Sequence, residues 1–185
     1  MNEPINPLLH YNIIYISSKI DEFVSKNIVH DIILLNEKKK LEGVNSNISF
    51  IQLIINSPGG YCHDGWVIVD FMEWSKLPVY TTAVGEICSM GLTIFMAGAR
   101  KHRIITKNTS ILSHRFSGYK SGSYSELVAS RKEEDLTHKR LVNHYLKYTK
   151  IKTEAELKQK LLKDVDTWLT PKEAVTLGIA DKIEG

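Results

Sequence analysis

Hydrophobic and polar positions follow two rhythms along this chain, and each switch between them marks a strand or a helix. Asn12 to Ser17, with Ile13, Ile14, Tyr15 and Ile16 at its centre, reads as a short strand. Ser18 to Asp21 has the form of a capping box and predicts a helix start. Ile20, Phe23, Val24, Ile28, Ile32 and Leu35 then keep a helical spacing to about Glu37. Leu41 to Asn47 is mostly polar and reads as a loop. Phe50 to Ile55 is a nearly continuous apolar strand, as expected inside a parallel sheet. Asn56 to Gly60 is a turn, and Tyr61 to Ser75 returns to helical spacing through Trp66, Val67, Phe71 and Trp74. Val79 to Val84 is a β-branched strand, Gly85 to Gly91 a turn, and Leu92 to Ala99 a buried helix, for which periodicity alone leaves a strand as the alternative.

His102 to Thr106 and Ser110 to Ser113 are two more short strands, and Arg115 to Gly122 is a Gly/Ser loop. Ser123 and Glu126 form a capping box that opens the longest helix, running to about Thr149. That helix carries many charges and no continuous apolar face, so it is expected to project from the body. Thr153 to Lys163 is a short amphipathic helix. Thr170, Pro171 and Glu173 supply an N-cap, a first-position proline and a box partner for another helix, which Gly178 ends before a last strand from Ile179 to Ile183. Strand and helix alternate throughout, which predicts an α/β protein with right-handed crossovers. Residues 1–185 are expected to be one domain, with 1–11 as a short N-terminal arm.

Composition narrows the function classes. A net charge of +3 from signs that are well mixed gives no argument for nucleic acid. Two cysteines, Cys62 and Cys88, make no disulfide framework. With no signal-peptide pattern at the N-terminus and no long apolar run, neither secretion nor a membrane span is expected, and a cytoplasmic protein follows. No cofactor or metal is expected either: no helix-spaced histidine pair lies beside a glutamate, there is no Cys-x-x-Cys, and the glycines at Gly59 and Gly60 match no phosphate-loop pattern.

Ser89 lies between a strand end and a helix start, where unpaired N–H groups and the helix dipole favour a developing oxyanion. The same place favours a capping serine with no chemistry. A catalytic serine needs a base. Of the seven histidines, His114 alone ends a strand where a loop begins, the place where sites collect in α/β sheets; a strand-end histidine satisfied by backbone is the alternative. A carboxylate that orients the base cannot be chosen from 21 acidic residues by composition. Asp164 and Asp166 precede the apolar Trp168 and Leu169, and either also suits a turn. Cys88 is the rival nucleophile.

Taken together, Ile55 to Gly60, Gly85-x-x-x-Ser89-Met90-Gly91, the strand ending in His114, and Asp166 to Val175 with Gly178 to Asp181 resemble the proteolytic subunit of the Clp protease, ClpP, over roughly residues 12–183. The resemblance implies the ClpP/crotonase fold, a spiral of ββα units with a protruding long helix, here 123–149, that forms contacts between rings. It makes Ser89 the nucleophile, His114 the general base and Asp166 the orienting carboxylate of a serine endopeptidase, with an oxyanion hole at the backbone N–H groups of Gly60 and Met90. It further implies a homo-oligomer of two stacked seven-membered rings, peptides and unfolded proteins as substrates, and a separate AAA+ unfoldase as partner.

The chain departs from the family at several places. The segment before Ile13 is short, and Gln52, Ile54, Thr82 and Thr106 stand where the unfoldase-docking pocket is aromatic or large and apolar. Val165 replaces an arginine that pairs across the rings, and Arg115-Phe116 replaces Gln-Pro. These departures leave a ClpP-like processing protease, for example of viral shells, and a non-catalytic ring subunit as alternatives. A crotonase-type acyl-CoA enzyme is a remoter one.

Overall fold

A computed structural model describes residues 7–118 and 120–185; residues 1–6 of the expected arm lie outside the described residues. A 3-10 turn, Pro7–Tyr11, leads into β1 (Ile13–Ile16). The first helix, α1, spans Glu22–Glu42. Its N-cap is Asp21, whose carboxylate accepts from the Val24 N–H at 2.9 Å, so the capping box expected at Ser18 does not form. Ser18 instead offers its carbonyl to the Ser57 hydroxyl at 2.7 Å, which ties the approach to α1 to the next strand. The helix also runs past Glu37 through the polar stretch to Glu42, because Lys38, Lys39 and Lys40 are good helix formers on a solvated face.

β2 (Ile51–Ser57), α2 (Cys62–Trp74), β3 (Val79–Cys88) and α3 (Met90–Met96) follow, then β4 (Arg103–Thr106) and β5 (Ser110–Ser113). The last part comprises α4 (Tyr124–Tyr148), α5 (Glu154–Lys160), β6 (Thr167–Leu169), α6 (Pro171–Leu177) and β7 (Lys182–Glu184). Capping boxes form at Ser123 with Glu126 and at Thr170 with Glu173, where the sequence pattern places them. The final strand is shorter than the expected 179–183, because Ile179 and Ala180 are used to close α6 on Ala174.

The strands order as β1-β2-β3-β4-β7, and every pair along that path is parallel. β2 buries Ile51, Leu53 and Ile55 completely, while Gln52, Ile54 and Asn56 are only half-buried. Its nearly continuous apolar run therefore does not mean burial on both faces; helices cover one side of this part of the sheet. The other side carries a ring stack of Phe50, Tyr80 and His102, with centroids 4.5 and 3.7 Å apart.

β3 is the organising strand. It continues four residues past the expected end at Val84, through Gly85 to Cys88. Residues Val79 to Ala83 pair with β2, as does Ile87 beyond a register shift; Thr81 to Ala83 also pair with β4, whereas Glu86 to Cys88 pair with β5. The change of partner occurs at Gly85, at φ +65°. A side chain there would put a Cβ 2.6 Å from Asn56 Oδ1, and that oxygen accepts from the Glu86 N–H where the β2–β3 register shifts. Only glycine suits both the backbone angle and the space.

A buried ion pair anchors the C-terminal strand. Arg103, 2% exposed, donates to Asp181 Oδ1 and Oδ2 at 2.6 and 2.9 Å and to the Tyr148 carbonyl at 2.8 Å. Burial pushes the Asp181 carboxyl up, but its hydrogen bonds from Arg103 outweigh that and hold it below the ordinary range. α4 is buried only from Thr137 onward; Tyr124, Leu127, Val128 and Leu136 in its first half are exposed. Among the described residues no helix is long and apolar enough to cross a membrane.

Candidate active site

The site gathers where β3 hands over to α3. Ser89 sits between them at φ +53° and ψ −118°, a region that a non-glycine residue occupies only under constraint. Its N–H donates to the Leu112 carbonyl at 3.0 Å, and its own carbonyl accepts from the Thr93 N–H and Thr93 Oγ1 at 3.1 and 3.2 Å. Ser89 occupies the N-cap position of α3, yet its hydroxyl makes no capping hydrogen bond. The capping reading therefore fails, and the hydroxyl is left for other partners.

The turn after β2 packs directly on this elbow. A Cβ on Gly59, at φ +95°, would lie 2.7 Å from both the Cys88 carbonyl oxygen and Ser89 Cβ. The Gly59 carbonyl accepts from the Ile20 N–H at 2.8 Å, and Gly60 forms a parallel bridge with Ile20. These bonds fix the turn from the side away from the serine. Met90 opens α3, where the first N–H groups lack intrahelical partners, and its buried side chain packs against Gly65 of α2. Gly60, Ser89, Met90 and His114 line one pocket, together with Cys62, Trp66, Thr93, Thr137, Leu141 and Tyr145.

Two strand ladders set the spacing of the other candidates. Cys88 is level with Leu112 in the parallel β3–β5 pair, which brings Ser89 beside the end of β5. The antiparallel β5–β6 pair sets Ser113 opposite Thr167, so the next residues outward, His114 and Asp166, leave the ladder side by side. Both line a second hollow with Arg115, Phe116, Lys163, Asp164 and Val165. His114 thus stands between the Ser89 pocket and the Asp166 hollow.

The imidazole is held by backbone. His114 Nδ1 lies 2.6 Å from the Arg115 carbonyl, an acceptor, so Nδ1 is the donor and Nε2 is left out of that bond. No hydrogen bond links His114 to Asp166, or Ser89 Oγ to His114, among the described residues. Asp166 is exposed. Arg115 donates from Nε to the Leu162 carbonyl at 2.7 Å and pairs with Asp164. Asp164 is therefore occupied by arginine, while Asp166 is the residue that precedes the partner of Ser113 in the β5–β6 register.

The cysteines are poor rivals. Burial first, then the Glu86 carboxylate, pushes the Cys88 thiol up to about 11, and Asp166 adds a smaller push. Burial also raises Cys62, with help from Glu133. Both remain protonated thiols at neutral pH.

Sequence reasoning missed much of the pocket wall. Thr137, Leu141 and Tyr145 recur at every fourth residue of α4, and Cys62 with Trp66 do the same on α2, a spacing legible before the structure. Their facing the serine was not. Arg115, which departs from the Gln-Pro pattern, has a structural role through its bond to the Leu162 carbonyl.

Known proteins that resemble this chain belong to one family. The family described as Clp protease matches residues 1–185. The ATP-dependent Clp protease proteolytic subunit of Deinococcus radiodurans is 32% identical over 178 residues, which cover 95% of this chain and 81% of that protein.

Proposed function

This chain belongs to the Clp protease family, whose members are peptidases with this mixed α/β fold, and from that membership we propose that it is the proteolytic subunit of an ATP-dependent Clp protease, a serine endopeptidase using Ser89, His114 and Asp166. The observation that carries the proposal is the Ser89 elbow: a strained serine whose hydroxyl caps nothing, lining one pocket with His114, Gly60 and Met90. Strain of this kind concentrates at functional sites, and a strand-to-helix elbow exposes a nucleophile.

In the proposed reaction His114 Nε2 takes the hydroxyl proton as Ser89 Oγ attacks a peptide carbonyl. The N–H groups of Gly60 and Met90 receive the oxyanion, a contribution of about 3–4 kcal/mol for one such donor. The imidazolium then protonates the leaving amine, and water releases the acyl group from Ser89. Asp166 stabilises the imidazolium from the Nδ1 side. For this the Nδ1–H turns from the Arg115 carbonyl to the carboxylate that the β5–β6 register sets beside it.

Members of the family form rings and work with Clp ATPases. We assign to this chain two stacked seven-membered rings around a chamber, with the exposed first half of α4 as the contact between rings. Leu127, Val128 and Leu136 are the apolar positions available there. Peptides and unfolded proteins are the substrates, delivered by an AAA+ unfoldase.

The test is direct. Ser89→Ala should abolish both fluorophosphonate labelling and peptide cleavage, in particles whose mass in solution is that of a double ring. Peptide cleavage that persists in Ser89→Ala would reject Ser89 as nucleophile.

A further inference from the structure

We propose that His144 is a positioning residue for the Ser89 elbow: acting through Thr93, it holds the peptide between Ser89 and Met90 so that the Met90 N–H stays aimed at the oxyanion. This role rests on the peptidase reading above. His144 belongs to α4 and is 6% exposed. Its Nε2–H donates to the Thr93 carbonyl at 2.8 Å. Trp66 of α2 meets the ring edge-on, with centroids 5.3 Å apart, and Tyr148 packs against it at 4.6 Å. The imidazole is thus held in place from two helices.

The Thr93 carbonyl needs a donor from outside its own helix. In a regular helix it would accept from the Ala97 N–H, four residues on. Instead α3 tightens at its end: the Ala97 N–H goes to the Ile94 carbonyl at 3.1 Å and the Gly98 N–H to the Phe95 carbonyl at 3.2 Å. Thr93 is 1% exposed, and a buried carbonyl left without a donor is costly. His144 supplies that donor from α4.

Thr93 in turn grips the Ser89 carbonyl twice, from its N–H at 3.1 Å and from Oγ1 at 3.2 Å. The Ser89 carbonyl and the Met90 N–H belong to one peptide unit. That unit is planar and trans, so its N–H points opposite to its carbonyl. Whatever fixes the Ser89 carbonyl therefore fixes the direction of the proposed oxyanion donor. The unit needs fixing: φ +53° and ψ −118° at Ser89 persist only where the surroundings over-determine them. Without His144 the orphaned carbonyl is satisfied by repacking the last turn of α3, and the grip of Thr93 on Ser89 loosens.

The experiment compares His144→Leu, which fills the space without a donor, with His144→Gln, whose amide nitrogen reaches about as far as Nε2. Outright loss of an oxyanion donor costs about 10²–10³ in kcat, so a donor turned aside should cost His144→Leu at least about tenfold. KM should stay within about twofold, because the donor acts on the transition state and not on bound peptide. His144→Gln should bring kcat back to within about threefold of the parent. If the leucine variant does not fold, His144→Asn, whose amide falls short of the carbonyl, carries the same expectation. An unchanged kcat, a loss seated in KM, or a loss that His144→Gln shares in full overturns the inference and leaves the peptidase reading intact. Crystal structures of the parent and of the same donor-less variant read the peptide without hydrolysis. A Ser89–Met90 peptide turned in the variant would sustain the inference even if the parent protein cleaved no peptide, an outcome that would sink the peptidase reading alone. The same orientation in both structures would overturn it.

Discussion

Replacing Asp166 with Asn asks which acceptor orients His114 during catalysis, the carboxylate or the backbone carbonyl that holds the ring in the structure. The His114 Nδ1–H donates to the Arg115 carbonyl at 2.6 Å. A carbonyl fixes the tautomer but brings no formal charge to the imidazolium formed when the serine proton arrives. Hydrogen bonds to charged groups are worth about 1.5–3 kcal/mol, against about 1 kcal/mol for neutral ones. Were the carbonyl the working partner throughout, Asp166→Asn would alter only a nearby charge and cost at most about 2 kcal/mol, roughly thirtyfold. If the ring turns to Asp166 in the active particle, the amide offers the wrong group to Nδ1, and the loss is about ten-thousandfold in kcat, near 5 kcal/mol. We expect the larger loss. Hydrolysis of a fluorogenic peptide at saturating concentration and neutral pH measures it, normalised by fluorophosphonate titration of Ser89. Asp166 is exposed, so the variant should unfold within about 0.5 kcal/mol of the parent. A loss of thirtyfold or less would refute the assignment of Asp166 and leave the Arg115 carbonyl as the orienting group.

Gly59→Ala would force a Cβ to within 2.7 Å of Ser89 Cβ at a backbone angle that alanine resists; we expect the rate of Ser89 labelling to fall about a hundredfold, since small misplacements near the nucleophile have effects of that size. Asp181→Ala leaves the buried Arg103 without its counter-ion, which should destabilise by about 3–5 kcal/mol and lower Tm by roughly 10 °C; a melt unchanged by the substitution would show that the pair contributes nothing. Burial holds His144 down to about 4, against an opposing pull from its bond to Thr93. Between that value and the unfolded value of about 6.5 the unfolded chain binds a proton that the folded one refuses, so stability is full above pH 6.5 and falls by about 3 kcal/mol as pH drops toward 4. His144→Gln should flatten that limb in denaturant titrations at pH 7.5 and pH 5, and an acid limb as steep as the parent's would place the titrating group elsewhere.

Most helices were legible because local chemistry marks their ends: Ser123 with Glu126, and Thr170 with Glu173, cap where the pattern says they should. The start of α1 was displaced because Ser18 had a nonlocal partner in Ser57, and no local rule contains that contact. β3 appeared to end at Val84 because Gly85 reads as a turn. The strand survives its glycine by keeping β2 across a register shift and exchanging β4 for β5, and strand exchange leaves no periodic trace. β6 went unseen for a simpler reason: Thr167, Trp168 and Leu169 are three residues, too few to show alternation. The position of Ser89 was readable as an elbow or a cap, and the uncapped hydroxyl decides between them. What lies across the pocket from it was hidden, because Trp66, Thr93 and Thr137 meet only through the packing of α2, α3 and α4.

The β5–β6 ladder also has a consequence for how such a chain is made. The Ser89 elbow and His114 belong to the first part of the chain, but Asp166 comes level with the end of β5 only when Thr167 has paired with Ser113 across all of α4 and α5. Domains fold from the N-terminus as they leave the ribosome, and contacts distant in sequence close late. On the proposed assignment, a nascent chain can fold its nucleophile and its base while still lacking the group that completes them. On that assignment the order of synthesis itself delays full activity until α4, α5 and β6 have folded.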